Sequence, residues 1–314
     1  MAAPDPARPL VGPSCVDGLD IPCRAEVGLG PMTWYGVGGP ADLFAQPQDV
    51  ESLSELVRRC HENEVPFYVL GSAANLLVAE SGVRGVVVKL DAPTFTGFDQ
   101  SNHSINAGAG ADLSKIIMQC AKDGLAGLEG LAGIPASIGG AIRMNCGGKY
   151  GQIGDHVESV LCLSAAGDLV AHPAGEIDFS YRSTALTEPL VLQATFAMQQ
   201  TDPVELRERV KEIFAWKKST QPLAEHSAGC AFKNPIDQSD KGAGQLIDEA
   251  GLKGFNVGMA EVSQRHANFL VMRPGGSSTD LIRLLRAVKQ RVAEQTGITL
   301  TEEVVIWGTT PVDP

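Results

Sequence analysis

The stretch GLEGLAGIPASIGGAIRMNCGGKYG, residues 127–151, is the most informative part of the chain because glycine is unusually frequent in it. The chain has 35 glycines in 314 residues, well above the roughly 7% of an average protein. Glycine lets the backbone approach a ligand closely, and consecutive N–H groups of such a loop can point at an anion. We predict that residues 124–154 form a loop, and that GIPASIGGA at residues 133–141 contacts a ligand.

A second loop of this kind, VLGSAANLL at residues 69–77, follows a strand predicted from the apolar run PFYVL. Neither loop has the Gly-Lys-Ser/Thr sequence of a phosphate-binding Walker loop, and neither has Gly-x-Gly-x-x-Gly opening a helix. Either loop alone is more typical of a tight structural turn. Together with MNCGGKYG at residues 144–151, they indicate two segments that hold the pyrophosphate of a dinucleotide.

Charge and composition exclude several classes of protein. Lys and Arg number 25 and Asp and Glu 37, a net charge of −12, which argues against broad binding to nucleic acid or to an anionic membrane. The seven cysteines are scattered without a Cys-x-x-Cys pair, so we expect reduced thiols and no metal site. No signal-like segment is present, and no apolar run approaches the ~18 residues of a membrane span. We therefore predict a cytoplasmic protein.

Helices and short strands alternate in the first half of the chain. Asp49 is the predicted N-cap of a helix whose apolar positions include Leu53 and Leu56. Asp112 begins a second helix, which ends at Gly124. Four prolines within the first thirteen positions indicate a flexible tail over residues 1–27.

The second half continues the alternation. A helix opens at Asp202-Pro203, and its predicted apolar face carries Leu206, Val210, Ile213 and Phe214. Further helices are predicted at residues 243–250 and 279–292, and strands at residues 157–164, 190–198, 268–272 and 304–307. The fold class is α+β, with two subdomains on the ligand side and one further domain from about Asp202.

Eight segments, in this order, resemble the UDP-N-acetylenolpyruvoylglucosamine reductase family over residues 33–308. They are TWYGVGGPADLF, VLGSAANLL, the stretch at 127–151, FSYRSTAL, SAGCAFKNP, AGQLIDEAGLKG, VSQRHANFLV and TEEVVIWG. The resemblance implies a vanillyl-alcohol-oxidase-like (PCMH-type) FAD-binding fold of two subdomains, plus a smaller α+β substrate-binding domain. It also implies that NADPH reduces FAD, and that FAD reduces UDP-N-acetylglucosamine enolpyruvate to UDP-N-acetylmuramate for peptidoglycan synthesis.

The same resemblance implies the domain limits. The FAD-binding domain covers residues 28–201, divided into subdomains 28–90 and 91–201. The substrate-binding domain covers residues 202–302, and residues 303–314 form a C-terminal strand that returns toward the FAD-binding domain.

The resemblance also assigns roles to individual residues. Arg182 in FSYRS corresponds to the arginine that binds the enolpyruvyl carboxylate, and Cys230 stands where the family usually has a proton-donating serine. Glu303, preferred to Glu302 because the motif runs Glu-Val, corresponds to the catalytic glutamate. The implied substrate-binding residues are Tyr181, Lys233, Asn234 and His266. The implied FAD-binding residues are Gly71, Ser72, Ala73, Ala74, Asn75, Leu76, Gly133, Ile134, Pro135, Ser137, Ile138, Gly139, Gly140 and Ala141.

Chemistry explains why these residue types suit the reaction. Hydride addition to the enolpyruvyl double bond pushes electron density toward the carboxylate, which a guanidinium can hold at two points. An acid must then protonate the neighbouring carbon. A thiol, with a reference pKa of about 8.5, is mostly protonated near neutral pH and is a far stronger acid than a hydroxyl.

Three departures from the family pattern affect the two glycine-rich loops and the subtype. The family commonly has Gly-Gly-Gly-Ser-Asn where this chain has Gly71-Ser72-Ala73-Ala74-Asn75, and Ala136 replaces a usual glycine. The chain is also too short for the tyrosine-bearing lid loop of the longer subtype.

Two alternatives remain open: another flavoprotein oxidase of the same fold, or a flavin- or nucleotide-sugar-binding protein without turnover. Residues 69–77 contain no His or Cys for a covalent flavin link, so we predict non-covalent FAD. The oligomeric state is open, with a monomer slightly favoured.

Overall fold

The structure is a computed structural model of the chain, and it describes residues 15–308. Its helices are α1 (Val50–Glu62), α2 (Pro93–Thr96), α3 (Leu113–Asp123), α4 (Ile138–Arg143), α5 (Pro203–Thr220), α6 (Ala243–Glu249) and α7 (Ser278–Thr296). Its strands are β1 (Cys23–Gly28), β2 (Pro40–Ala45), β3 (Phe67–Leu70), β4 (Leu76–Val78), β5 (Val83–Lys89), β6 (Phe98–Ser101), β7 (Ser104–Gly108), β8 (Leu125–Ala126), β9 (Gly147–Gly148), β10 (Gly151–Gln152), β11 (Val157–Leu163), β12 (Leu169–Pro173), β13 (Phe179–Ser180), β14 (Ser183–Thr184), β15 (Leu190–Ala197), β16 (Gln199–Gln200), β17 (Asn256–Val257), β18 (Ala260–Val262), β19 (Leu270–Met272) and β20 (Val305–Trp307).

The first sheet has the strand order β1-β2-β5-β3, with β5 parallel to both β2 and β3. Helix α1 connects β2 to β3 and begins as predicted, because the Asp49 side chain accepts the Ser52 N–H at 2.8 Å. Leu53 and Leu56 are buried on the apolar face of α1. The predicted β-α-β pattern of this segment is therefore confirmed.

The second sheet is antiparallel, with the order β12-β11-β15-β7-β6. Helix α3 starts at the predicted N-cap Asp112 and ends at Gly124, whose φ of +72° is a left-handed conformation. The two sheets share one hydrophobic core, to which α1, α3, α4 and α5 contribute. Two subdomains, each with one sheet, pack around a common core, which agrees with the predicted α+β class.

The C-terminal part has its own core, built by α6, α7 and the antiparallel sheet β17-β18-β19. The last strand leaves this part and pairs in parallel with β4, so that Val305 lies opposite Leu76. The chain thus returns to the first glycine-rich loop. Residues 309–314 of the predicted C-terminal strand lie outside the described residues.

The predicted tail over residues 1–27 is wrong at its C-terminal end. Cys15 is fully buried in the first core, and β1 pairs with β2 along its length. These pairings are long-range, so the proline-rich composition before them gave no sign of them. Residues 1–14 lie outside the described residues.

The predicted loop at residues 124–154 also contains a helix, α4. Its buried residues are Ile138, Ala141 and Ile142, at the spacing of a helical face, and Ser137 occupies the N-cap position. The adjacent glycines hid this short pattern, because glycine disfavours a helix interior.

Helix α5 packs on the first core through Leu206, Val210 and Ile213. Phe214 does not share that face, since 47% of it is exposed; its position, one residue after Ile213, turns it away from the core. The domain limits remain predictions, but this packing favours grouping α5 with the cofactor side. Within the described residues, no helix is long and apolar enough to cross a membrane.

Two glycines at helix ends allow a matched test of the fold. A Cβ on Gly124 would lie 2.5 Å from the Thr201 carbonyl oxygen, whereas a Cβ on Gly251 would meet nothing within 4 Å; both have positive φ. We expect Gly124→Ala to lower the free energy of unfolding by about 2 kcal/mol or more, and Gly251→Ala by only about 1 kcal/mol. Urea unfolding followed by circular dichroism measures both. Equal losses would contradict the close packing of Gly124.

Candidate active site

The two predicted glycine-rich loops lie next to each other. Ser72 Oγ is 3.5 Å from the Pro135 carbonyl oxygen, and a Cβ on Gly71 would collide with Ser137 Oγ. A cleft of about 320 Å³ opens between the loops, within the range of roughly 300–1,000 Å³ usual for small-molecule sites. Loop residues that line it are Gly71, Ser72, Ala136, Ser137, Gly139 and Gly140.

The loops differ in whether the N–H groups that they leave for a ligand follow one another in the chain. Within residues 15–308, the N–H groups of residues 72–75 donate to no backbone carbonyl. In the second loop, Ile138 N–H donates to Ala111 O at 3.0 Å and Gly139 N–H to Ala109 O at 2.8 Å. The first loop therefore fits an anion cradle better than the second, whose amides at 138 and 139 hold the loop against the end of β7.

Side chains that the sequence analysis did not select hold the first loop. Lys89 Nζ donates to Gly71 O at 2.7 Å, and Trp34 Nε1 donates to Ser72 O at 3.1 Å. Ala73, where the family commonly has glycine, has a φ of +54°, which is unfavourable for a residue with a β-carbon. The loop keeps the backbone shape suited to glycine although alanine occupies the position.

Arg182 and Glu303 form an ion pair in the interior of the protein. Arg182 Nε donates to Glu303 Oε1 at 2.6 Å, and the two side chains are only 17% and 13% exposed. A second nitrogen, Nη2, donates to Gly147 O at 2.7 Å. Arg182 lies in the turn between β13 and β14 with a φ of +56°, and strained backbone of this kind clusters at functional sites.

Asn145 fixes the turn that carries Arg182. It is fully buried, its Nδ2 donates to Ser180 O at 2.9 Å, and its Oδ1 accepts the Gly154 N–H at 3.1 Å. The sequence analysis quoted Asn145 within MNCGGKYG but gave it no role. The signal was an amide side chain inside a glycine-rich loop, which is typical of a residue that bonds to backbone.

Cys230 lies beside this ion pair. Burial raises the pKa of its thiol to about 12, and the negative charge of Glu303 adds to the rise, while Arg182 and Asn268 oppose it. Burial also raises the pKa of Glu303, against the attraction of Arg182 and Lys233. The structure therefore brings together the three predicted catalytic residues, with the thiol in its protonated form at neutral pH.

The neighbouring glutamate points elsewhere. Glu302 bonds to Lys289 Nζ at 2.8 and 3.0 Å. The backbone of Glu303 is fixed from two sides, since its N–H donates to Ala231 O at 2.8 Å and its carbonyl accepts Asn75 Nδ2 at 3.0 Å. Asn75, predicted as an FAD contact, thus also joins the first loop to the strand of Glu303.

The predicted substrate-binding residues surround the start of α6. The Asn234 N–H donates to Tyr181 Oη at 3.2 Å, and Asn234 Oδ1 accepts the Ala243 N–H at 2.9 Å. His266 lies next to Gly244, and burial lowers its pKa. The positive charge of Lys233 acts to lower the pKa of Glu303. Tyr181, Asn234 and Lys233 therefore lie near Arg182 or its partner Glu303, whereas His266 lies at the start of α6.

A metal site was not expected, but three side chains of suitable type lie together away from this region. The ligand atoms of Cys162, His172 and Glu188 lie within 4.8 Å of one another. His172 Nε2 is 2.9 Å from Glu188 Oε1, and the Arg143 guanidinium lies near both Cys162 and Glu188. A cation already present beside the cluster disfavours a metal ion there.

Comparisons with known proteins agree with this geometry. A sequence model described as the C-terminal domain of UDP-N-acetylenolpyruvoylglucosamine reductase matches residues 221–307, and one described as an FAD binding domain matches residues 41–172. The reductase of Heliobacterium modesticaldum is 40% identical over 278 residues, covering 88% of each chain. The chain belongs to the UDP-N-acetylenolpyruvoylglucosamine reductase family.

Other relatives extend the comparison. The reductase of Lactococcus lactis subsp. cremoris is 38% identical over 294 residues, covering 92% of this chain and 96% of that relative. The crystal structure of UDP-N-acetylenolpyruvylglucosamine reductase from Thermus caldophilus has a TM-score of 0.77 at 34% identity, over 92% of this chain and 99% of that one. The predicted fold and FAD cofactor are confirmed. The roles of individual residues remain predictions.

The raised pKa of Cys230 predicts slow alkylation. Only the thiolate reacts with iodoacetamide, and a pKa of about 12 leaves roughly one thiol in ten thousand ionised at pH 8. We expect native Cys230 to react more than ~1,000-fold slower than free cysteine, with a rate that rises about tenfold per pH unit. Peptide mass spectrometry measures this, with urea-unfolded protein as control. Rapid labelling of the native protein at neutral pH would contradict it.

Proposed function

We propose that the chain reduces the enolpyruvyl ether of UDP-N-acetylglucosamine to UDP-N-acetylmuramate with NADPH, as a step in peptidoglycan precursor synthesis. The observation that carries the proposal is the buried Arg182–Glu303 pair with the Cys230 thiol beside it. These residues provide a ligand for the substrate carboxylate, a carboxyl group and a proton donor. The reaction requires the carboxylate ligand and the proton donor at one place.

The residues of the cleft fit FAD. When bound, FAD passes a hydride from NADPH to the terminal enolpyruvyl carbon. The free N–H groups of residues 72–75 would bind its pyrophosphate, as backbone N–H groups do in other anion sites. Ser137 and Gly140 would face it across the cleft. The first loop has no His or Cys, which supports non-covalent binding.

Arg182 would hold the carboxylate of the substrate. Its Nε donates to Glu303, and one hydrogen of its Nη2 donates to Gly147 O. The Nη1 hydrogens and the other Nη2 hydrogen therefore remain for a second acceptor. As the double bond accepts a hydride, negative charge develops toward the carboxylate. The guanidinium stabilises that charge because it is permanently positive and already oriented.

Cys230 would complete the reduction. Its proton adds to the carbon next to the carboxylate while the hydride occupies the terminal carbon, and the thiolate regains a proton from solvent. Arg182 lowers the pKa of this thiol, which stabilises the thiolate after transfer. Glu303 would share a proton with the same intermediate once it has taken one up, and burial favours this uptake because it raises the pKa of Glu303.

The two alternatives are less well supported. An oxidase with covalently bound flavin would need a His or Cys near the first loop, and residues 69–77 contain neither. A binding protein without turnover would not need a partly buried thiol beside an ion pair of low exposure. We also propose a cytoplasmic location. Of the predicted domain division we keep the order of the domains but move the boundary from residue 202 to near residue 221, because α5 packs on the first core.

The arginine can be tested by a charge-preserving change. Arg182→Lys keeps the charge but has a single nitrogen, which cannot bond to Glu303, Gly147 O and a carboxylate in the same geometry. We expect kcat for substrate-dependent NADPH oxidation to fall about 100-fold or more, with FAD content nearly unchanged. Wild-type turnover in this variant would mean that Arg182 is not the carboxylate ligand.

The thiol can be tested by separating the half-reactions. Flavin reduction by NADPH precedes proton delivery to the substrate, so Cys230→Ala should leave it nearly intact. Reoxidation by the enolpyruvyl substrate should fall by ~100-fold or more, the usual effect of losing a positioned acid. Cys230→Ser should recover much of the loss. Stopped-flow absorbance follows both steps.

Two results of this experiment would contradict the role of Cys230. If Cys230→Ala slows both half-reactions equally, the residue is structural. If neither half-reaction changes, another group or a water molecule is the acid.

A further inference from the structure

Lys217 is a buried cation without a partner. It lies on α5 and is 5% exposed, and its Nζ has no hydrogen-bond partner among the described residues. Buried ammonium groups are nearly always paired, since removing the charge from water is costly. Burial lowers the pKa of Lys217 only to about 8, so most molecules carry the charge at neutral pH.

The neighbours of Lys217 place it at the active site. A Cβ on Gly133 would lie 3.2 Å from Lys217 Cδ, so the side chain runs along the start of the second glycine-rich loop. The positive charges of Arg182 and Lys217 both act to lower the pKa of the Cys146 thiol, so both side chains lie near it. Lys217 therefore lies between that loop and the turn that carries Arg182.

Among residues 15–308, no group supplies the missing negative charge. Within that range, Cys146 is the one group whose charge shifts the pKa of Lys217, and burial raises the pKa of that thiol to about 12. Cys146 is therefore neutral at physiological pH. The carboxylate of Glu303 is paired with Arg182 instead. The counter-charge must come from a bound molecule.

The molecules of the reaction carry several anionic groups: the FAD pyrophosphate, the reduced flavin ring, the carboxylate and diphosphate of the substrate, and the phosphates of NADPH. Lys217 is not among the residues that line the cleft between the loops, where the FAD pyrophosphate is proposed to bind. The substrate carboxylate is assigned to Arg182, and the substrate-binding candidates lie toward α6, where Asn234 bonds to Ala243. Apart from the substrate carboxylate, the anion that must lie near Arg182 is the reduced flavin ring, because it delivers hydride there.

We propose that Lys217 supplies the positive charge that balances the negative charge of reduced FAD. The inference rests on the proposed function, since it requires FAD to react beside Arg182. A cation held next to the flavin favours the reduced state, because it is attracted to the charge gained on reduction. Burial of Lys217 strengthens this attraction, because water does not screen it.

The test compares two adjacent lysines. Lys217→Met removes the buried charge with little change in volume, and Lys218→Met removes an exposed charge one residue away on the same helix. In both variants and the wild type, the midpoint potential of bound FAD is measured against a reference dye without substrate. We expect Lys217→Met to lower the ratio of reduced to oxidised FAD at a given potential by about tenfold or more, and Lys218→Met to leave it unchanged. Lys217→Arg should restore most of the ratio.

Specific results overturn the inference. An unchanged potential in Lys217→Met with FAD fully bound would exclude Lys217 as the counter-charge. An unchanged potential with a raised KM for NADPH or for the enolpyruvyl sugar would assign it to a substrate phosphate. If the wild-type protein bound no FAD, or did not oxidise NADPH, that result would instead refute the proposed function.

A measurement on the wild type covers the case in which Lys217→Met does not fold. The pH dependence of the midpoint potential counts the protons taken up on reduction. We expect one proton for two electrons at mildly acidic pH, because the reduced cofactor remains an anion beside Lys217. Two protons for two electrons would overturn the inference.

Discussion

The ion pair between Arg182 and Glu303 is the constraint on which the site depends. It joins residues 121 positions apart. Arg182 lies in the turn between β13 and β14, and Glu303 lies just before β20. A buried ion pair is a weak source of stability, because both charges lose their hydration. We interpret its retention as functional. It orients one edge of the guanidinium and leaves the other edge for a ligand.

Two amide side chains fix the backbone beside Arg182 and the backbone of Glu303. Asn145 fixes the turn before Arg182 through Ser180 O, and Asn75 fixes the Glu303 carbonyl from 228 positions away. Each amide can donate and accept at once, so each connects two backbone segments. The pairing of β20 with β4 belongs to the same arrangement, since it brings the C-terminal strand to the loop at residues 72–75. The proposed cofactor loop and the proposed catalytic carboxylate of Glu303 are thereby connected through the backbone.

If Cys230 is the proton donor, as proposed, its thiol changes the energetics of proton donation relative to the serine that is usual in the family. A thiol is intrinsically a much stronger acid than a hydroxyl, but burial and Glu303 raise its pKa to about 12. In the proposed mechanism this keeps the thiol protonated before the reaction. Arg182 would stabilise the thiolate that follows. The balance between these two charges, not the thiol alone, sets how readily the proton leaves.

The sequence by itself determined the local elements and the identity of the chemistry. Helix starts at Asp49 and Asp112, and the helix end at Gly124, were predictable because caps act within a few residues. The motifs around Arg182, Cys230 and Glu303 identified the family. Only the tertiary structure decided which charges meet. The helix α4 inside a glycine-rich stretch, the burial of Lys217 and the roles of Asn75 and Asn145 depend on contacts between segments distant in the chain. No local periodicity encodes such contacts, because they arise only when several elements pack together.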